Sequence, residues 1–185
     1  MSAPADVALT RHGGDEIDSL LDEITDLYEL VYREPPYNGG PLHRRERFLD
    51  RTNAQKTAKG FEVVTAQAGE KLVGFSFGFT FGAGRWWGGR SEPSPPADVL
   101  DPPKFAVIEL VVAKSRRGQG LSTMLITTLL SGRPEPLATL LSTPDAPARQ
   151  IYQHWGWHHA TDVQPADDAP WMHALVLPLR STARP

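Results

Sequence analysis

Apolar residues recur along this chain at two periods, and the changes of period divide it into elements. Asp6–Thr10 is a short run that predicts a strand. From Ile17 the spacing changes: Ile17, Leu20, Leu21, Ile24, Leu27, Tyr28 and Val31 recur at three and four, the stripe of an amphipathic helix. Asp15 stands before that stripe as a cap, with acids in the first turn, and Pro35-Pro36 stops it. A second, shorter helix is expected over His43–Asn53, with Phe48 and Leu49 facing inward. Phe61–Gln67 and Leu72–Phe81 read as strands joined by a hairpin turn at Ala68-Gly69-Glu70-Lys71. The later strand alternates cleanly: Val73, Phe75, Phe77, Phe79 and Phe81 share one face, and Gly74, Ser76, Gly78 and Thr80 the other. One face is aromatic, and the opposite one leaves room for a helix or a ligand.

Phe105–Ala113 has neither period. It is an almost unbroken apolar run interrupted by one carboxylate, Glu109, which predicts a strand buried on both faces. A basic, Gly-rich turn follows, and a helical pattern begins at Leu121 and stops at Gly132-Arg133-Pro134. Leu137–Ser142 reads as another short buried strand. A helix starting around Thr143-Pro144-Asp145-Ala146-Pro147 puts Ala148, Ile151, Tyr152 and Trp155 on one face and ends near Gly156. His158–Val163 and Trp171–Leu179 are the last two strands. Gly82–Lys104 is the exception: Gly-rich, then Pro-rich, and too long for an ordinary hairpin. Its Trp86-Trp87 pair has three fates: packing on its own domain, lining a substrate mouth, or meeting a second copy of the chain in a homodimer. The order is β-α-α-β-β-β-α-β-α-β-β, an α/β fold in one domain over residues 1–185, without repeats or a dividing linker.

Composition narrows the function classes. The chain has 185 residues, a net charge of −3 and no cysteine. Disulfides, thiolate catalysis and Cys-based zinc sites are excluded, which suits a reducing cytoplasm. The charge and the lack of a long basic run argue against nucleic acid as a partner. Met1–Glu16 carries no apolar core flanked by positive charge, so no leader is expected there. No apolar segment approaches the ~18 residues of a membrane span, so no membrane partner is expected either. His154, His158 and His159 lie close in sequence without a carboxylate pattern, and no metal ligand is assigned.

The chemistry concentrates in Lys114-Ser115-Arg116-Arg117-Gly118-Gln119-Gly120 and the helix opening at Leu121. The first turn of a helix has unpaired N–H groups and partial positive charge. Gly118 and Gly120 let backbone approach an oxyanion, and Arg116 and Arg117 add charges that can fork onto phosphate. Neither GxxxxGK[ST] nor GxGxxG is present. The pattern Arg117-x-x-Gly120-x-Ser122 resembles the Arg/Gln-x-x-Gly-x-Gly/Ala signature of the GCN5-related N-acetyltransferases, with Ser122 in place of the usual Gly or Ala. Asp145-x-x-Ala148-x-x-x-Tyr152-x-x-x-Gly156-Trp157 looks like that family's second signature, Asn-x-x-Ala-x-x-x-Tyr-x-x-x-Gly-Phe. Asp145 replaces the Asn and reads here as a plain helix cap.

The resemblance implies a mixed, mostly antiparallel central sheet of six to seven strands flanked by about four helices. It implies acetyl-CoA as cosubstrate, with pantetheine along Leu110, Val111 and Val112, whose strand splays from Leu137–Leu141. The pyrophosphate would lie on Arg117, Gly118, Gln119, Gly120, Leu121 and Ser122, chiefly through backbone N–H groups. Tyr152 takes the family's role of proton donor to the leaving thiolate; from the residues alone it is also a core tyrosine on an apolar helix face. Glu109 has two readings: a base that receives the amine's proton, or a buried carboxylate paired with an Arg or a backbone donor. Without cysteine no acetyl-cysteine intermediate can form, so transfer would be direct, in a ternary complex. The acceptor would meet the first two helices and the last hairpin, which carry Glu29, Tyr32, Glu34, Tyr37, Asp167 and Asp168. The expected acceptor is a small-molecule amine. Protein N-termini or lysines, and a non-catalytic acyl-CoA-binding module, are the alternatives.

Overall fold

The alternation of Leu72–Phe81 sets how the surrounding elements pack. A computed structural model describes residues 6–35, 37–144 and 149–179. It contains eight strands and five helices among these residues: β1 (Val7–Gly13), α1 (Leu21–Tyr32), α2 (Arg45–Gln55), β2 (Glu62–Ala68), β3 (Lys71–Phe81), β4 (Arg90–Glu92), α3 (Ala97–Leu100), β5 (Lys104–Val112), α4 (Leu121–Leu130), β6 (Leu137–Ser142), α5 (Arg149–His154), β7 (His158–Gln164) and β8 (Met172–Pro178). The chain divides into two units, Met1–Phe79 with Ile108–Ser131, and Thr80–Val107 with Gly132–Pro185. Among the described residues no helix is long and apolar enough to cross a membrane.

In the first unit the strand order is β1-β2-β3-β5, with β1–β2 and β2–β3 antiparallel. The aromatic face of β3 buries Phe75 and Phe77 completely, and Phe77 meets Phe48 of α2 edge-on at 6.4 Å and Phe61 at 5.6 Å. Each such ring contributes roughly 2 kcal/mol by leaving water. The small-residue face receives α4. A Cβ on Gly74 would sit 3.0 Å from Leu125 Cδ1 and 3.1 Å from the Val111 carbonyl, so the close approach of α4 depends on that glycine. Arg11 on β1 donates to the carbonyls of Thr128 and Ser131, at the C-terminal end of α4 where cations are favoured. The helix is thereby held at its far end, which fixes where its N-terminus points.

The first helix differs from its expected form. Ile17 belongs to a separate 3-10 turn, Ile17–Ser19, and α1 begins at Leu21. Neither start carries the side-chain cap expected from Asp15: Glu16 and Leu20 stand at the two N-cap positions without one, and Glu16 Oε2 instead accepts the N–H of Gly13 at the end of β1, at 2.7 Å. Of the two prolines expected to stop α1, Pro36 lies outside the described residues, as do Asp145 and Ala148 before α5.

In the second unit the order is β5-β6-β8-β7-β4. β5 and β6 run parallel from Lys104↔Leu137 to Val107↔Leu140, while β6–β8, β7–β8 and β4–β7 are antiparallel. The strand and helix counts exceed the expected six to seven and about four because the Gly/Pro-rich segment holds two short elements, β4 and α3. Its tryptophans pack on its own unit, the first of the three fates. Trp87 meets Phe81 edge-on at 5.0 Å and donates from Nε1 to Thr139 Oγ1 at 3.1 Å, and Thr139 in turn donates to the Leu175 carbonyl at 3.0 Å. Lys104 is fully buried, and its Nζ donates to the carbonyls of Arg85 and Leu100, each at 2.9 Å, tying two points of the segment together. That burial lowers the lysine's pKa from its ordinary value.

Candidate active site

Strand β5 ends at Val112, and the Ala113 N–H donates to the Val73 carbonyl at 2.9 Å, which anchors the start of the turn. Lys114–Arg116 makes one 3-10 turn. Gly118 and Gly120 then take left-handed backbone, at φ 75° and 78°, where a side chain would be strained. Gly120 is the N-cap of α4 and supplies no side-chain cap, so the first-turn amides of the helix point outward from backbone alone. A Cβ on Gly118 would meet nothing within 4 Å, which leaves the turn open on that side. Gln119 is exposed and donates to the Ser115 carbonyl at 3.3 Å; Leu121 is buried and Ser122 half-buried.

Both arginines expected to face phosphate are answered inside the protein. Arg116 pairs with Asp6 at 2.6 Å. Arg117 forks onto Glu34, with Nη1 2.9 Å from Oε2 and Nη2 3.2 Å from Oε1, and its Nε donates to the Val112 carbonyl at 3.2 Å. Glu34 follows the end of α1, where a carboxylate within reach of a planar guanidinium forms this bidentate pair. The arginine thereby braces the turn, and the groups left to grip an anion are the backbone amides at Leu121, Ser122 and their neighbours. A diphosphate fits such a turn: it has two left-handed glycines, an uncapped helix tip and open space over Gly118.

Upstream of the turn, β5 pairs with β6 only over Lys104–Val107. In the rest of β5, Ile108 and Leu110 are half-buried and alternate with buried Glu109 and Val111; Val112 is also buried. Ile108–Val112 lies outside that pairing, a stretch of strand backbone of the kind an extended ligand can join.

Glu109 stands on the opposite face from Leu110, with 7% of its surface exposed. Tyr32 Oη donates to its Oε2 at 2.9 Å and Arg51 Nη2 to its Oε1 at 2.9 Å. Its own carbonyl accepts from buried Ser76 Oγ at 2.8 Å, which fixes the backbone beneath it. Burial raises the Glu109 pKa, while the Arg51 charge and the hydrogen bonds from Tyr32 and Arg51 pull it down. The carboxylate is thus paired with an arginine, the second of its two expected readings, and its pKa is raised by burial.

Around Glu109 lies a set of rings from α1 and the segment that follows it, with Arg51 from α2. Arg51 Nη2 also reaches Tyr28 Oη at 3.4 Å, and Tyr28 Oη lies 3.1 Å from His43 Nδ1. Tyr32 stacks on His43 at 4.3 Å and meets Tyr37 at 4.7 Å. Burial, then the Arg51 charge, depress the His43 pKa to about 4, so its imidazole is neutral at pH 7. Burial and the Glu109 charge push the Tyr28, Tyr32 and Tyr37 hydroxyls up, so they remain protonated donors. Arg51, Tyr28 and His43 were not singled out from sequence. The one available signal was indirect: a carboxylate in an apolar strand demands a cation from elsewhere.

Tyr152 lies on α5, half-buried, edge-on to Trp155 at 5.8 Å and to Trp157 at 6.1 Å. The Trp157 N–H donates to the Tyr152 carbonyl at 3.0 Å, so the end of α5 closes over this residue. The histidines sort differently from their sequence grouping: His159 comes together with Asp162 and His173, and His154 and His158 are not in that cluster.

A model of the acetyltransferase (GNAT) family matches residues 22–157. No curated protein matches the chain. Among solved structures, a Desulfovibrio desulfuricans protein assigned to the GNAT family is 17% identical, with TM-score 0.60, covering 93% of this chain and 98% of that one. The aminoglycoside N-acetyltransferase AAC(6′)-Iy in complex with CoA is 14% identical, with TM-score 0.58, covering 86% of this chain and 93% of that one. Arabidopsis thaliana NAA60 in complex with a bisubstrate analogue is 14% identical, with TM-score 0.59, covering 94% and 98%. At these identities the likeness is one of fold.

Proposed function

The chain belongs to the acetyltransferase (GNAT) family, and on that premise we propose that it transfers an acetyl group from acetyl-CoA to the primary amine of a small molecule by direct attack. The observation that carries this reading is the turn after β5, whose uncapped helix tip and two left-handed glycines suit a diphosphate. Bound acetyl-CoA supplies the thioester carbonyl and the thiolate leaving group. The amides opening α4 orient its diphosphate, and the backbone edge of Leu110–Val112 hydrogen-bonds the pantetheine arm as an added strand would. An alkylammonium of pKa near 10 must lose a proton before it attacks. Glu109 receives that proton, with Arg51 and Tyr32 fixing the orientation of its carboxylate. Tyr152 donates its phenolic proton to the departing sulfur.

The small-molecule acceptor is supported by the half-buried rings of Tyr32, Tyr37 and His43 beside Glu109, which give an aromatic wall at the end of α1 and on the segment that follows it. A thiol-release assay with acetyl-CoA over small amines, peptides with free N-termini and lysine peptides tests the reading. Turnover with small amines and a fall of about a hundredfold in kcat for Tyr152→Phe, with CoA affinity unchanged, are expected. Release only with peptides moves the acceptor to proteins. Tight CoA binding without release from any amine makes the chain a binding module and defeats the enzymatic reading.

A further inference from the structure

His159 and Asp162 are three positions apart on β7, a spacing that in a regular strand sends two side chains to opposite faces. The register with β8 shifts between His159 and Thr161. The extra residue of that bulge returns His159 to the face that carries Asp162. Asp162 is paired directly with His173 across the ladder. Asp162 Oδ1 consequently lies 2.7 Å from His159 Nε2 and 2.7 Å from His173 Nδ1. The three ligand atoms all lie within 4.8 Å of one another, and the two imidazole rings meet edge-on at 4.9 Å.

We propose that His159, Asp162 and His173 form a binding site for one divalent transition-metal ion of the zinc, nickel or copper class. Two imidazole nitrogens and one carboxylate oxygen are the donor set such borderline ions take, whereas magnesium and calcium require oxygen ligands throughout. Around a tetrahedral ion with bonds of about 2 Å, ligand atoms stand roughly 3.3 Å apart, so each hydrogen-bonded pair opens by roughly half an ångström to admit it. The ligating nitrogens carry no proton in the complex; each N–H now directed at Asp162 passes to the other ring nitrogen or to water. The side chains of His159 and Asp162 are 48% and 43% exposed and that of His173 21%, so an ion reaches them and water completes its coordination. The bound ion clips β7 to β8 on the hairpin that closes the second unit. The site stands independently of acetyl transfer.

The test is calorimetric titration of the whole chain, stripped with a chelator and dialysed, with zinc chloride and separately with cobalt chloride. The account predicts one ion per chain, cobalt absorption bands of a mixed nitrogen–oxygen site, and no competition from magnesium. His173→Ala and Asp162→Ala each raise the dissociation constant at least about tenfold, the scale on which even groups one shell removed act. His158→Ala, an exposed neighbour outside the cluster, leaves it unchanged. Where an alanine variant does not fold, His173→Gln, which keeps a donor toward Asp162, replaces it. Absence of binding heat and cobalt bands in the native chain, or zinc affinity indifferent to His173 and Asp162, overturns the assignment and leaves a hydrogen-bond cluster.

Discussion

Replacing Arg51 with Met removes the cation from Glu109 and leaves a carboxylate with 7% of its side chain exposed. Breaking a buried ion pair from one side costs about 3–5 kcal/mol. Arg51 is itself 35% exposed and partly screened, which discounts the loss to about 2 kcal/mol. Over a urea slope of about 2 kcal/mol/M, the unfolding midpoint falls by about 1 M at about pH 8. The pH dependence follows from the direction of the shifts. Burial holds the Glu109 pKa above its unfolded value, so burial alone costs stability that grows as pH rises toward the folded pKa. Arg51 works in the opposite sense. Its contribution exists while Glu109 is ionised and is lost as pH falls through the folded pKa. Urea denaturation at about pH 8 and about pH 5 reads the difference, and the loss in Arg51→Met shrinks at the lower pH. Adding Glu109→Gln recovers most of it, because no buried charge remains to be answered. An equal midpoint loss at both pH values, or a double variant as unstable as the single one, refutes the pairing as the source of the effect.

Two further outcomes follow from the same cluster. Tyr32→Phe removes a hydrogen bond that lowers the Glu109 pKa, so the acid limb of kcat/KM for the amine moves to higher pH; an unmoved limb removes Glu109 from the role of base. His43, held at about 4, binds a proton in the unfolded chain before it does in the folded one. Stability therefore falls as pH drops from about 6.5 toward 4, and His43→Gln flattens that part of the urea-midpoint profile; a slope identical to the native chain's contradicts the assignment.

What was legible in the sequence was local. The turn at Arg117–Ser122 shows itself within a few residues, because two glycines and a helix start are sequence neighbours. The β3 alternation announced its aromatic and small faces, and Gly74 turned out to receive α4. Glu109 stood out as a lone carboxylate in an apolar run. Its partners did not, since Tyr32 is 77 residues away in sequence and Arg51 58, and no local pattern marks either one. The pairing of Arg117 with Glu34 was hidden for the same reason, being 83 residues apart. The elements β4 and α3 have three and four residues, too few to carry a period. The His159, Asp162 and His173 grouping depends on a bulge, and ideal strand alternation would have separated the first two.

Acetyl transfer by this chain requires that the amides at the tip of α4 hold the diphosphate of coenzyme A. An amide correlation spectrum of the labelled chain, recorded with and without coenzyme A, measures this directly. The account predicts the largest shifts at Gly118, Gly120, Leu121 and Ser122, with smaller ones at Leu110–Val112. Saturable binding that leaves those amides unmoved, or no binding at all, contradicts it.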